Sequence, residues 1–247
     1  MVHTYQNLLE KHLARAWSCQ DRLSDQIGGE GWECDLQEGT LSFSNGQVFR
    51  IGLLGSYGEG AGTWLWAWAN QGMAHLPEPV LAAANGLRAL GEEHQIVQLT
   101  EAEFEADETD CALMAMLAVG HLGQGAFYRG PYEGGAAYFI IEPLEALTGP
   151  TDVARIPRLI SECTGFGLPS RAVVEGFFRA ERFDLESAGD KLVATRGETS
   201  FSVSFDEEGR VAEVSAKLAA ESHAAPPDQP ARGGVLSRLF GRGKRDA

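Results

Sequence analysis

Thr63-Trp64-Leu65-Trp66-Ala67-Trp68-Ala69-Asn70 is the stretch on which the reading of this chain turns. It is entered through the glycine-rich run Gly55-Ser56-Tyr57-Gly58-Glu59-Gly60-Ala61-Gly62. Three of the five tryptophans stand here at i, i+2 and i+4. On an extended strand that spacing sends all three indoles to one face and Leu65, Ala67 and Ala69 to the other. Such a face is first of all a core surface for helices to cover. A second reading stays open beside it. A buried indole N–H wants a partner, so Tyr57, Trp64, Trp66 and Asn70 are candidates for a pocket that is mostly apolar with a few polar groups.

Outward from that strand the pattern is mixed. Tyr5, Leu8, Leu9, His12, Leu13, Ala16, Trp17 and Leu23 recur at helical steps, which predicts an amphipathic helix over residues 4–27 stopped by Gly28-Gly29. Strands follow at 32–36, 40–44 and 47–54, with Asn45-Gly46 as the strongest hairpin signal. Short connections make these and the tryptophan strand an antiparallel meander, because parallel pairing needs long crossovers. Pro77 and Pro79 open a helix that Gly91 is placed to stop. Residues 96–99 read as a short strand, and Thr100 with Glu103 as a capping box. Residues 108–121 form a helix apolar almost all round, hence central. Strands at 126–129 and 136–141 close this half.

Gly149-Pro150 marks a boundary. Helices near 152–163 and 170–179 and strands at 182–185, 191–196, 199–205 and 211–217 follow. The segment Phe183 to Leu192 parallels Cys34 to Leu41, which suggests two helix-plus-four-strand units; a chance likeness of short hairpins is the alternative. The expected class is α+β, helices packed on antiparallel sheets. The expected division is an N-terminal domain over 1–148, a smaller helix-plus-sheet domain over 150–218, and a Pro-rich linker with a basic tail over 219–247.

The 247 residues include 44% hydrophobic ones, enough for a core without disulfide or metal. The formal charge of −15 divides into +4 over residues 230–247 and −19 over the rest. An acidic body disfavours nucleic acid, whose affinity comes from clustered Lys and Arg. The four cysteines lie far apart and read as buried free thiols. There is no secretory signal pattern, and no apolar run reaches the roughly 20 residues of a membrane span. A reduced, cytoplasmic setting follows.

Reactive constellations are sparse. The glycine-rich run lacks the Lys-Ser/Thr of a phosphate loop and leads into a strand instead of a helix. Glu92-Glu93 and Asp107-Glu108-Thr109-Asp110 suit helix ends and solubility. The latter also lacks the pattern of a calcium loop. His121 suits a helix C-terminus. No catalytic residue, metal ligand or cofactor is assigned. In the tail, Val235, Leu236, Leu239 and Phe240 form an apolar patch if helical, ringed by Arg238, Arg242, Lys244 and Arg245. That pattern fits an anionic membrane surface or a partner's groove; a disordered basic end is the alternative.

The segment Trp64-Leu65-Trp66-Ala67-Trp68-Ala69-Asn70 resembles the hallmark of a bacterial domain family of unknown function marked by Trp-x-Trp-Ala-Trp-Ala-Asn. Asp35, Leu36, Gly39, Leu41 and Phe43, the helix end Leu90-Gly91-Glu92, and Tyr128-Arg129-Gly130-Pro131 are similar too. The resemblance covers about residues 5–142. It implies a bacterial cytoplasm and no transferable activity. The leading expectation is a non-enzymatic cytoplasmic interaction protein that uses its tail, peripheral to the membrane's inner face or bound to a protein partner. A small-ligand-binding domain with a Trp/Tyr-lined cleft comes second and an enzyme third.

Overall fold

The computed structural model describes residues 3–27 and 31–219. The first helix, α1, spans Tyr5–Gln26 and starts where the Thr4 side chain accepts a hydrogen bond from the Asn7 amide. Its expected stop at Gly28-Gly29 lies outside the described residues. Four strands follow, β1 (Trp32–Asp35), β2 (Thr40–Phe43), β3 (Val48–Gly58) and β4 (Thr63–Trp66). Each pairs antiparallel with the next, so the meander is present. Gly39 and Gly46 take the left-handed backbone at its first two turns, φ +63° and +87°. Asp35 fastens the first turn by accepting from the amides of Gln37 and Glu38.

Two helices come next, α2 (Glu78–His94) and α3 (Val97–Thr100), then β5 (Glu103–Glu105) on the free edge of β4. The strand expected at 96–99 is thus a helical turn, because Leu99 is buried there while Val97 stays exposed. Gly91 does not stop α2. The helix runs on to His94 and is capped by Gln95 at φ 58°, in the left-handed region. Gly91 is instead a contact point, since a Cβ there would lie 2.6 Å from Leu99 Cβ. The expected Thr100–Glu103 capping box is absent: the Thr100 hydroxyl turns back to the carbonyls of Ile96 and Val97. A capping box does form at Asp107 and Asp110, at the start of α4 (Glu108–Leu122). Gly123 closes α4 at φ 67°, as expected.

A tight hairpin, β6 (Ala126–Tyr132) and β7 (Gly135–Ile141), docks β7 along β3. This and β5 extend the first sheet to seven strands. Then come α5 (Glu145–Thr148), α6 (Ile156–Cys163) and α7 (Ser170–Ala180). A four-stranded antiparallel sheet ends the described chain: β8 (Asp184–Ala188), β9 (Lys191–Arg196), β10 (Thr199–Phe205) and β11 (Val211–Lys217). The protein is α+β, as its sequence pattern predicts.

One hydrophobic core runs through all of it, with α1 between α4 and α7. Both neighbours reach α1 through glycine. A Cβ on Gly120 of α4 would lie 2.6 Å from His12 Cβ, and one on Gly176 of α7 would lie 2.7 Å from the Glu10 carbonyl oxygen. Backbones meet this closely only where no side chain intervenes. Among the described residues no helix is long and apolar enough to cross a membrane.

Candidate functional site

The tryptophan strand is shorter than its sequence pattern predicts. Beta pairing ends at Trp66, and residues 67–69 form a turn. Trp64 and Trp66 keep the shared face and are fully buried, with their rings 5.3 Å apart. Trp68 leaves that face. Its half-buried ring lies under the Arg88 guanidinium, 4.5 Å from the ring centroid. The predicted three-indole stripe is therefore a pair, because the chain turns before the third residue can alternate inward.

Cross-strand register assembles the rest of that face. Tyr57 stands opposite Trp64, and Gly55 stands between Trp66 and Tyr138. Gly55 is required where it is: a Cβ there would lie 2.5 Å from Cζ2 of Trp64. Tyr138 meets the Trp64 ring edge-on at 5.2 Å. The Trp66 Nε1 donates to the Gln98 carbonyl at 3.1 Å. Trp64 Nε1 is buried and without a hydrogen-bond partner, whereas the Tyr138 hydroxyl lies beside Cys111 and Arg129. Asn70 is not part of this group. Its side chain accepts from the Gly72 amide at 3.0 Å and holds the short 3-10 turn Gln71–Met73. Of the four predicted residues, the structure brings Tyr57, Trp64 and Trp66 together and leaves Asn70 beyond the strand's far end.

Charged residues close the rim. Arg129 forms an ion pair with Glu108 at the start of α4 and another, at 3.6 Å, with Glu59 in the glycine-rich hairpin. Cys111 lies on α4 within electrostatic reach of Tyr5, Tyr57 and Tyr138. Burial first, then Asp110 and Asp107, push its thiol up to about 12, so it stays protonated at neutral pH. Burial likewise raises the Tyr138 phenol. Arg129 and Glu59 sit inside motifs that were visible in the sequence, but the pairing itself depends on two hairpins meeting.

A second charged assembly lines the seam between α1 and the segments after Gly149. Arg15 Nη1 pairs with Glu181 at 2.7 Å, and Arg155 Nη1 bridges Asp21 at 2.9 Å and Asp25 at 2.6 Å. Arg158 joins Asp21 at 2.8 Å and Glu162 at 3.1 Å, and Glu162 also accepts from Trp17 Nε1. Arg22 donates to the Leu147 carbonyl and to the Thr151 hydroxyl. No sequence motif announces this seam, because its partners lie more than a hundred positions apart.

Other candidate groups resolve simply. Cys19, Cys111 and Cys163 are buried free thiols, whereas Cys34 is exposed on β1. His121 stands in the last turn of α4, as its sequence position suggests. Burial is the first cause that lowers its pKa, and its ring meets that of His12 at 5.6 Å. Among the described residues no group of three or more His, Cys, Asp and Glu side chains is arranged to hold a metal ion. The tail residues Val235, Leu236, Arg238, Leu239, Phe240, Arg242, Lys244 and Arg245 lie outside the described residues.

The fold thus defines an α+β protein whose first sheet carries the tryptophan pair. Residues 6–144, more than half of the chain, match the family of unknown function DUF6882, and the chain belongs to that family. No curated protein and no solved structure matches it. The motif residues have structural roles here. Asp35 and Gly39 make a turn, and Leu41 and Phe43 are core. A Cβ on Gly130 would lie 2.8 Å from Trp32 Cη2, so only glycine lets that indole lie across the β6–β7 hairpin.

Proposed function

We propose that this chain is a non-enzymatic interaction protein of a bacterial cytoplasm, whose basic C-terminal segment docks its acidic body on an anionic surface. The division of charge carries the reading: +4 over residues 230–247 against −19 elsewhere. An acidic body is repelled by anionic lipid, so attraction has to come from the tail. Val235, Leu236, Leu239 and Phe240 supply several kcal/mol of burial at most, at roughly 1.5–3 each before ordering costs. Docking is accordingly reversible and salt-sensitive, since interactions between exposed charges are screened over about 8–10 Å. In this reading the folded units 1–148 and 150–218 are the cargo and 219–247 the tether, and the target is the inner face of the membrane or an acidic protein groove.

Co-sedimentation with phosphatidylglycerol vesicles tests it. The full chain should pellet at low salt and release at high salt, and a chain lacking residues 231–247 should stay in solution. Equal behaviour of the two chains towards vesicles, together with unchanged cellular location and partners, would remove the tail from the account.

A second reading rests on the buried, unpartnered Trp64 Nε1. It makes the Tyr57 end of the tryptophan pair a small-ligand site, entered past the Glu59–Arg129–Glu108 rim. Ligand-dependent quenching of tryptophan fluorescence that Trp64→Phe abolishes in a folded variant would select this reading.

A further inference from the structure

Among the described residues five strands stand at a sheet edge: β1, β5, β6, β8 and β11. An open edge is a row of unpaired N–H and C=O groups, a template for another strand unless something blunts it. Four of these edges are blunted. Gln20 closes β6 by donating to the Phe127 carbonyl and accepting from the Phe127 amide, and Pro131 has no N–H to offer. The strands β1, β5 and β8 each carry two carboxylates and no base: Glu33 and Asp35, Glu103 and Glu105, Asp184 and Glu186. A copy of the same strand laid beside any of them brings like charges close together.

The remaining edge, β11, differs. Its residues Glu213 to Lys217 pair in unbroken register with Ser204 to Ser200 of β10, and a register shift ends that run beyond Glu213. Val214 and Ala216 stand opposite the buried Val203 and Phe201, on the core face of the sheet. Val214 is only half-buried and Ala216 is exposed, so the apolar face is left uncovered at this edge. Glu213, Ser215 and Lys217 alternate with them on the outer face and are exposed. Neither Glu213 nor Lys217 enters an ion pair among the described residues.

The regular run is centred on Ser215. A second copy laid antiparallel about a two-fold axis at Ser215 uses all of it. Ser215 then faces its own copy, Val214 faces Ala216, and Glu213 faces Lys217 on both sides of the axis. A slip by one or two positions leaves both charges without a partner, so charge selects this register. We propose that the protein self-associates through β11, the two copies pairing antiparallel about Ser215 so that their C-terminal sheets join into one.

One strand pair buries little surface, which places the dimer in the weak, reversible class. The exposed ion pairs add little attraction; they supply register and the rejection of other edges. The acidic bodies repel each other, so association is measured at about 0.15 M salt, where the repulsion is screened over about 8 Å. Such a dimer carries two basic tails, but it does not rest on the docking function.

Sedimentation equilibrium of the full chain over a concentration series tests the pairing. The parent should pass from monomer to dimer as concentration rises. Glu213→Lys sets lysine against Lys217, and Lys217→Glu sets glutamate against Glu213, so either should raise the dissociation constant about tenfold. Both positions are exposed, and far-UV circular dichroism checks that each variant is folded. Mixing the two variants recreates both opposite-charge pairs in a heterodimer and should restore the parent's constant. A chain that stays monomeric throughout, a dimer that neither reversal weakens, or a mixture no tighter than its components overturns the proposal.

Discussion

Arg15 Nη1 and Glu181 Oε1, 166 positions apart in the chain, meet at 2.7 Å with the carboxylate side chain only 2% exposed. Glu181 also accepts from the Thr151 amide at 3.0 Å and from its hydroxyl at 2.7 Å. One carboxylate thereby joins α1, the segment after Gly149 and the end of α7. Replacing it by alanine strands a guanidinium and a buried amide, which costs about 3 kcal/mol. Urea denaturation of Glu181→Ala measures this. A loss within about 0.5 kcal/mol, as for an ordinary surface substitution, would show that the seam does not hold the two sheets together.

The two glycine contacts on α1 yield a sharper comparison. Gly176→Ala pushes a methyl group against the Glu10 and Lys11 carbonyl oxygens, at 2.7 and 3.0 Å, and backbone cannot step aside as a flexible side chain does. Overpacking of this kind costs about 1–3 kcal/mol. Gly165→Ala faces open space and should lie within about 0.5 kcal/mol of the parent. Melting temperatures of the pair provide the check.

Trp64 and Trp66 are equally buried but differ at nitrogen. Trp66→Phe loses the bond to the Gln98 carbonyl and leaves that oxygen without the indole donor. Trp64→Phe removes an N–H that has no partner. Both variants leave a space, yet Trp66→Phe should be the less stable by about 1 kcal/mol. Chemical denaturation read by far-UV circular dichroism distinguishes them, and the opposite order would place an unseen partner on Trp64.

His12 makes the acid limb of stability steeper. Burial first, then Lys11, His121 and His3, lower its pKa from 6.5 to about 4. The unfolded chain therefore binds this proton more readily than the folded one. Its contribution is complete above pH 6.5 and is lost as pH falls from about 6.5 to about 4. The melting temperature should drop across that window, and His12→Gln should flatten the drop. Parallel curves for parent and variant would mean that the imidazole is solvated in the folded state.

Much of the fold was legible in the sequence because it is written in local patterns. The 3.6-residue period placed α1 and α4, and the turn glycines and Asn45-Gly46 placed β1 to β3. The misreadings came where long-range contact overrode local signal. Gly91 looks like a stop, but α2 continues because Leu99 needs the space above it. Trp68 continues the alternation in sequence, but the chain has already turned. The Arg129–Glu59–Glu108 rim was only half visible: its residues lie in notable motifs, and their meeting requires β3, β6 and α4 to converge.

The sequence by itself determined the α+β class, the antiparallel meander, the family and the opposition between an acidic body and a basic tail. Each of these depends on residues close together in the chain or on a simple sum of charge. Tertiary structure alone decided that two tryptophans, not three, share the core face, and that α1 packs between α4 and α7. It also decided that Arg15 meets Glu181 across 166 positions. These are relations across tens to more than a hundred positions, where packing geometry, and not local propensity, selects the partner.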